Sequence, residues 1–338
     1  MKVLGIESSC DDTAAAVIEE RSVLSSVVAS QDDVHRKFGG IVPELASRSH
    51  IRNVSRVIRN ALDTAGVTLD DIGAIAATNG PGLVGSLLVG LSAAKAIAFA
   101  RRLPFVAVNH IEGHLLSALL AEPVEFPYLA LIVSGGHTSL YLARDFGHYE
   151  SLGSTRDDAA GEAYDKVAKM LNLGFPGGPV IDKRAREGDP KAVRFPRARL
   201  KPPRGRQTGE IFEFSFSGLK TAVWQHVRER GDPLTPQAVA DIAASFQEAV
   251  VDQLLDTSMA ALEHTRAPRF VIAGGVSANS RLRERAAELA AERGISLHVP
   301  PMRFCTDNAA MIALAGSVRL ERGESDPLTT NAFADLTL

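Results

Sequence analysis

The sequence predicts an α/β protein of two mixed lobes, and three observations predict it. Short apolar strands alternate with helical stretches along 338 residues. A strand, polar turn, strand pattern at residues 3–18 returns at residues 129–143. Gly-rich turns follow buried strands and lead into helices. Apolar residues make up 45% of the chain, enough for two packed cores.

The elements follow in order. Residues 3–6 and 14–18 are apolar strands joined by the polar turn Glu7-Ser8-Ser9-Cys10-Asp11-Asp12-Thr13, which makes a hairpin. Pro43 opens a helix to about residue 65, with Leu45, Val54, Val57, Ile58, Ala61 and Leu62 at helical spacing. A strand over 72–77 ends in Thr78-Asn79-Gly80-Pro81-Gly82, and a helix follows from Leu83. That helix is the longest apolar region, but Gly85, Ser86, Gly90, Ser92 and Lys95 break it, so it reads as a buried helix rather than a membrane span. A strand over 105–108 runs into a helix carrying His110 and His114. The second cycle has strands at 129–133 and 139–143 around Ser134-Gly135-Gly136-His137-Thr138. Later come a strand at 270–273, the turn Gly274-Gly275-Val276-Ser277 and a helix over 279–293. Together these suggest an internal duplication whose turns could line a ligand cleft.

A net charge of −3 excludes a uniformly basic nucleic-acid binder but leaves room for a local basic patch. Cys10 and Cys305 cannot form a disulfide framework, which fits a reducing cytoplasm. The first residues run straight into a strand pattern and read as no signal peptide, so a cytoplasmic protein without membrane association is expected.

Several groups of residues could do chemistry. His110 and His114, at i and i+4, project from one face of a helix, as a metal requires; a cap histidine beside a core histidine is the plainer account. Glu112 sits two places after His110, which is not the protease pattern H-E-x-x-H. Asp307, just before the apolar stretch 309–315, reads first as a helix N-cap. As a third ligand it would complete a set suited to Zn²⁺ or non-haem Fe²⁺. The Gly-Gly turns at 135–136 and 274–275 would let backbone N–H groups approach a phosphate or ribose. No Walker pattern occurs, and the turns are read as lacking a dinucleotide fingerprint. Acids at 157–166 are expected to charge the first turn of a helix; Asp165 lies beyond that turn and suits a ribose hydroxyl. Phe175-Pro176-Gly177-Gly178-Pro179 reads as a rigid loop leading to Asp182. Residues 183–206 hold ten Lys or Arg against Glu187 and Asp189, a solvated surface or a polyanion contact.

These stretches, taken in order, resemble the universal tRNA N6-adenosine threonylcarbamoyltransferases in their bacterial form (TsaD type). The matching segments are 4–13, 39–48, 80–85, the His110/His114 stretch, 133–138, 157–166, 214–220, 273–279 and 304–308. The resemblance implies an actin-like/Hsp70-like fold of two ribonuclease-H-like lobes around a central ligand cleft. Residues 1–125 with a C-terminal helix over 307–338 would form one lobe, and 126–306 the other. It implies one Fe²⁺, or Zn²⁺, on His110, His114 and Asp307. The adenylate site would comprise Val133, Ser134, Gly135, Gly136, His137, Asp165, Gly178, Asp182 and Asn279. A separate synthase would supply L-threonylcarbamoyl-adenylate, and the chain would pass its acyl group to N6 of adenosine 37 in tRNAs reading codons that begin with A. A paralogous scaffold subunit (TsaB type) and an ATPase (TsaE type) would be partners. Asp11 and Asp12 could orient the acceptor amine or take its proton. The sequence departs from relatives in having Asp12 where Glu is common, a longer basic loop over 197–213, and no basic Trp-containing tail at 331–338. Two rival readings are a zinc metalloprotease and a non-catalytic actin-like scaffold.

Overall fold

The computed structural model describes residues 1–198, 200, 212–231 and 233–338. These form two compact units, Met1–Val124 with Pro300–Leu338, and Glu125–Val299. Residues 300–306, expected with the second lobe, therefore cluster with the first unit.

The first unit begins with the strands β1 (Lys2–Glu7), β2 (Thr13–Glu19) and β3 (Ser22–Ala29). A short helix α1 (Asp32–His35) precedes α2 (Pro43–Ala65), which starts on proline and stops at Gly66 in the left-handed region. Then come β4 (Ala74–Gly80), α3 (Val84–Arg101), β5 (Phe105–Asn109) and α4 (His110–Leu116). The sheet order is β3-β2-β1-β4-β5, with the first three strands antiparallel and β1, β4 and β5 parallel. Val54, Val57, Ile58, Ala61 and Leu62 of α2 pack in the core against Leu4, Ile6, Val17 and Ile75. By length and composition α3 would suffice to cross a bilayer, yet its Leu91, Ala94 and Ala98 belong to the same core.

The second unit repeats the plan. Strands β6 (Tyr128–Val133), β7 (Thr138–Asp145) and β8 (His148–Ser154) form an antiparallel meander. Helices α5 (Ala160–Met170), α6 (Gly177–Ala185), α7 (Ser217–Arg230) and α8 (Pro236–Thr265) follow. The unit closes with β9 (Arg269–Ala273), α9 (Ser280–Arg293) and β10 (Ser296–His298). Its sheet order, β10-β9-β6-β7-β8, is the first sheet's topology over again. Its core joins Leu129, Leu131 and Phe270 of the sheet to Val167, Phe246 and Val250 of α5 and α8. Neither third strand was expected from the sequence. Both β3 and β8 are edge strands with irregular exposure, so neither shows a clean alternation.

The last helix, α10 (Ala309–Glu321), returns to the first unit and lies against β1. Gly5 permits this approach: a Cβ there would stand 2.3 Å from the Ala309 carbonyl oxygen and 2.8 Å from Ala313 Cβ. A Cβ on Gly113 of α4 would likewise meet Ile312 Cδ1 at 2.9 Å. Small residues thus bring the starts of α4 and α10 together, with His110 on one and Asp307 just before the other.

Candidate functional site

The helix α4 begins where β5 ends, and Asn109 caps it by accepting from Ile111 N at 2.8 Å. His110 and His114 are both buried, with ring centroids 4.7 Å apart and planes at 84°. Their Nε2 atoms converge on one oxygen: Asp307 Oδ1 lies 3.6 Å from His110 and 3.2 Å from His114. The expected cap role of Asp307 is overturned. Asn308 is the cap of α10, accepting from Met311 N at 3.0 Å, and this leaves the Asp307 carboxylate for the histidines.

Two imidazoles and a carboxylate whose donor atoms all lie within 4.8 Å of one another form a group able to hold a metal ion. The Asp307 side chain is 22% exposed while both rings are buried, so the donor set is closed behind and open in front. Burial pushes the His110 imidazole down, but the Asp307 and Glu7 carboxylates overcome this and hold it at about 9. A dication would displace that proton on binding. Burial dominates at His114 and pushes it below its ordinary value.

Asp11 and Asp12 lie on the hairpin turn next to Cys10. Burial, reinforced by the Asp307 carboxylate, raises both, with Asp12 pushed up to about 8. The Asp12 Oδ1 atom is buried without a hydrogen-bond partner among the described residues.

In the second unit the expected adenylate residues gather at the ends of β6 and β9 and the starts of α5, α6 and α9. Ser134 N donates to the His137 carbonyl (2.8 Å) and His137 N to Ser134 Oγ (3.1 Å), closing the turn after Val133. Gly161 N donates to the Ser134 carbonyl at 3.1 Å, which ties α5 to that turn. Asp165 Oδ1 accepts from Gly177 N at 2.6 Å, which ties α6 to α5. Asp182 Oδ1 accepts from Ser280 Oγ at 2.7 Å, and Asn279 caps α9 while donating to Gln247 Oε1 at 2.7 Å. The first amides of these three helices are engaged within the protein: Gly161 N by the Ser134 carbonyl, Gly177 N by Asp165 and Leu282 N by Asn279.

The glycines here fall into two kinds. A Cβ on Gly161, Gly177 or Gly274 would meet backbone at 2.5 Å or less. One on Gly135, Gly136 or Gly178 would meet nothing within 4 Å, and none of the three needs a positive φ. Nothing among the described residues demands glycine at those positions.

Other expectations change. Asp157 and Asp158 precede α5 instead of charging its first turn. Asp157 Oδ1 accepts from Phe216 N (2.8 Å) and Ser217 N (3.3 Å) at the start of α7, and Asp158 pairs with Lys166 and Lys220. The loop expected at 175–179 gives way at Gly177 to α6. Gly80-Pro81-Gly82-Leu83-Val84-Gly85 does match G-x-G-x-x-G between a strand and a helix, against the expectation that no such fingerprint is present. Its glycines serve close packing within the protein: Cβ atoms there would stand 2.4 Å from Phe333 O, 2.4 Å from Ser9 O and 2.5 Å from Ser47 Oγ. Of the basic segment, residues 199, 201–206 and the rest of the 197–213 loop up to 211, apart from Leu200, lie outside the described residues. Arg184, Arg186 and Arg197 pair with Glu187, Asp182 and Asp252, while Lys191 and Arg194 make no ion pair among the described residues. Glu7, Thr78 and Gln247 were given no role by sequence reasoning; the only signal was an acid ending an otherwise apolar strand.

Fold and site together define an actin-like, Hsp70-like α/β protein with a candidate metal centre. The fold is shared with full-length HypF in its phosphate- and nucleotide-bound form, at TM-score 0.62 and 13% identity, covering 95% of this chain and 56% of that one. The profile of the family described as TsaD, tRNA N6-adenosine threonylcarbamoyltransferase, matches residues 22–314. The chain is 53% identical over 336 residues to the tRNA N6-adenosine threonylcarbamoyltransferase of Syntrophus aciditrophicus, covering 99% of this chain and 97% of that protein. It is 56% identical over 326 residues to the enzyme of the same name from Anaeromyxobacter dehalogenans, covering 96% and 95%. The chain belongs to the tRNA N6-adenosine threonylcarbamoyltransferase family and is a transferase.

Proposed function

We propose that this chain transfers the threonylcarbamoyl group of L-threonylcarbamoyl-adenylate to N6 of adenosine 37 in tRNAs reading codons that begin with A, releasing AMP. Identity above 50% to enzymes of that name over nearly the whole chain carries the reading. In the transfer the N6 nitrogen forms a bond to the carbamoyl carbon, the carbon–oxygen bond to phosphate breaks, and N6 loses a proton.

The residues of the chain divide the work. His110, His114 and Asp307 would hold one divalent metal, Fe²⁺ or Zn²⁺, which when bound supplies Lewis-acid stabilisation to the phosphate–carbamoyl group. Val133 to His137 and Gly178 would accept the adenylate, with Asp165, Asp182 and Asn279 fixing the helix ends around it. An exocyclic amine is a weak nucleophile, so positioning carries much of the rate. Asp11 and Asp12 are assigned to orient the amine and take its proton; a carboxyl at about 8 is matched to that task near neutral pH. A separate synthase supplies the donor in this reading. A TsaB-type scaffold and a TsaE-type ATPase act with the chain in the cytoplasm. Neither the metalloprotease nor the silent scaffold gains support from any observation.

The test reconstitutes the metal-replete chain with a source of the adenylate, its partners and unmodified tRNA, and reads nucleosides by mass spectrometry. N6-threonylcarbamoyladenosine is expected with the wild-type chain and not with His110→Ala; no product from the wild type overturns the reading. Asp11→Ala is expected to cripple transfer and spare adenylate binding, and unchanged turnover would remove Asp11 from the mechanism.

A further inference from the structure

Glu7 is the last residue of β1 and its side chain is fully buried. Its carboxylate binds in three directions. Oε1 accepts from Ser9 N at 2.5 Å; Oε2 accepts from Thr78 Oγ1 at 2.6 Å and faces His110 Nδ1 at 3.0 Å. Glu7, Thr78 and His110 stand at the ends of β1, β4 and β5, three neighbouring parallel strands. The carboxylate therefore bridges the C-terminal ends of β1 and β4 to the first residue of α4. No Lys or Arg pairs with it among the described residues; His110 is its basic partner, and a buried carboxylate depends on such a partner. Glutamine would fill the same space but offers one acceptor oxygen: keeping it on Ser9 N turns the NH₂ toward Thr78 Oγ1 and His110 Nδ1, so only the carboxylate accepts from all sides.

We infer that Glu7 is a positioning residue for the metal centre: its carboxylate accepts the Nδ1 proton of His110 and so turns the Nε2 lone pair toward Asp307. This rests on the metal reading given under Proposed function. An ionised carboxylate can only accept, so it selects the tautomer with hydrogen on Nδ1. Ser9 Oγ, 3.2 Å from the same nitrogen, supports that choice. His114 has no counterpart: its Nδ1 is buried without a partner among the described residues. Orientation by hydrogen bonding is thus concentrated on one of the two histidines. Glutamine at position 7 can present its NH₂ to Nδ1, which favours the other tautomer and sets an N–H where the metal must bind.

The test measures Zn²⁺ affinity of the full chain by chelator competition for wild type, Glu7→Gln, His110→Ala and the double variant. Glu7→Gln is expected to weaken binding 10- to 100-fold. In the His110→Ala background the same change is expected to alter binding by less than about twofold, since its route has been removed. Equal weakening in both backgrounds would mean a general structural effect and overturn the inference, as would wild-type affinity in Glu7→Gln. Circular dichroism and urea unfolding of the full chain report whether each variant is folded. Should Glu7→Gln fail to fold, Thr78→Val removes a single bond to the carboxylate; a few-fold loss of Zn²⁺ affinity supports the inference and no loss overturns it. A wild-type chain that binds no Zn²⁺ or Fe²⁺ at all sinks the metal reading itself, a result distinct from equal binding by wild type and variant.

Discussion

Asp12 combines an unpartnered buried oxygen with a carboxyl held at about 8 by burial and by the Asp307 and Asp11 carboxylates. The folded value lies above that of an unfolded aspartate, about 3.9. Ionisation of Asp12 therefore disfavours the folded state. The penalty is absent below about pH 4, grows as pH rises toward about 8, and is complete above that. Asp12→Asn removes it, so the metal-free variant should melt higher than wild type, with a larger gain at pH 8 than at pH 5. A gain that does not grow with pH would contradict this account in thermal melts at the two pH values. At this scale the sequence was legible in part. The paired histidines announced themselves by spacing. Asp307 was misread because two consecutive residues, Asp307 and Asn308, can both cap a helix, and only packing decides that Asn308 does. Glu7 looked like part of a turn, since a letter code does not reveal that a strand continues one residue further into the core.

Single elements in the second unit are joined to one another by glycine, and substitution separates two reasons for having it. Gly161→Ala places a Cβ 2.5 Å from the Ser134 carbonyl oxygen, a backbone atom that cannot move cheaply. It should cost about 1–3 kcal/mol in urea unfolding. Gly178→Ala meets nothing within 4 Å and lies in the first turn of α6. It should raise stability by about 0.5–1 kcal/mol and still weaken AMP binding in calorimetric titration. If Gly178→Ala binds AMP as wild type does, these open glycines lose their link to a ligand. In the sequence every Gly-rich turn looked alike. The bounds of α2 and most of its apolar face were legible, although Leu45 is only half-buried, whereas β3 and β8 were hidden by their mixed exposure.

Across the whole molecule, the sequence announced duplication through its two hairpins, and the two sheets repeat one topology. The net charge of −3 gives tRNA no general attraction, so contact must come from local basic surface. Lys191 and Arg194 are exposed and unpaired among the described residues. Replacing both by glutamine should weaken tRNA binding and flatten the dependence of log affinity on log salt by about 0.7 to 0.9 per lost phosphate contact. Filter binding at several salt concentrations measures this, and an unchanged slope would place the tRNA elsewhere. One feature of the chain's path bears on its biosynthesis. Asp307 belongs to the segment that returns to the first unit only after the whole second unit has been threaded out. A ribosome therefore delivers the histidine pair long before its carboxylate partner, and the complete three-donor set can take up metal only once translation has passed residue 307.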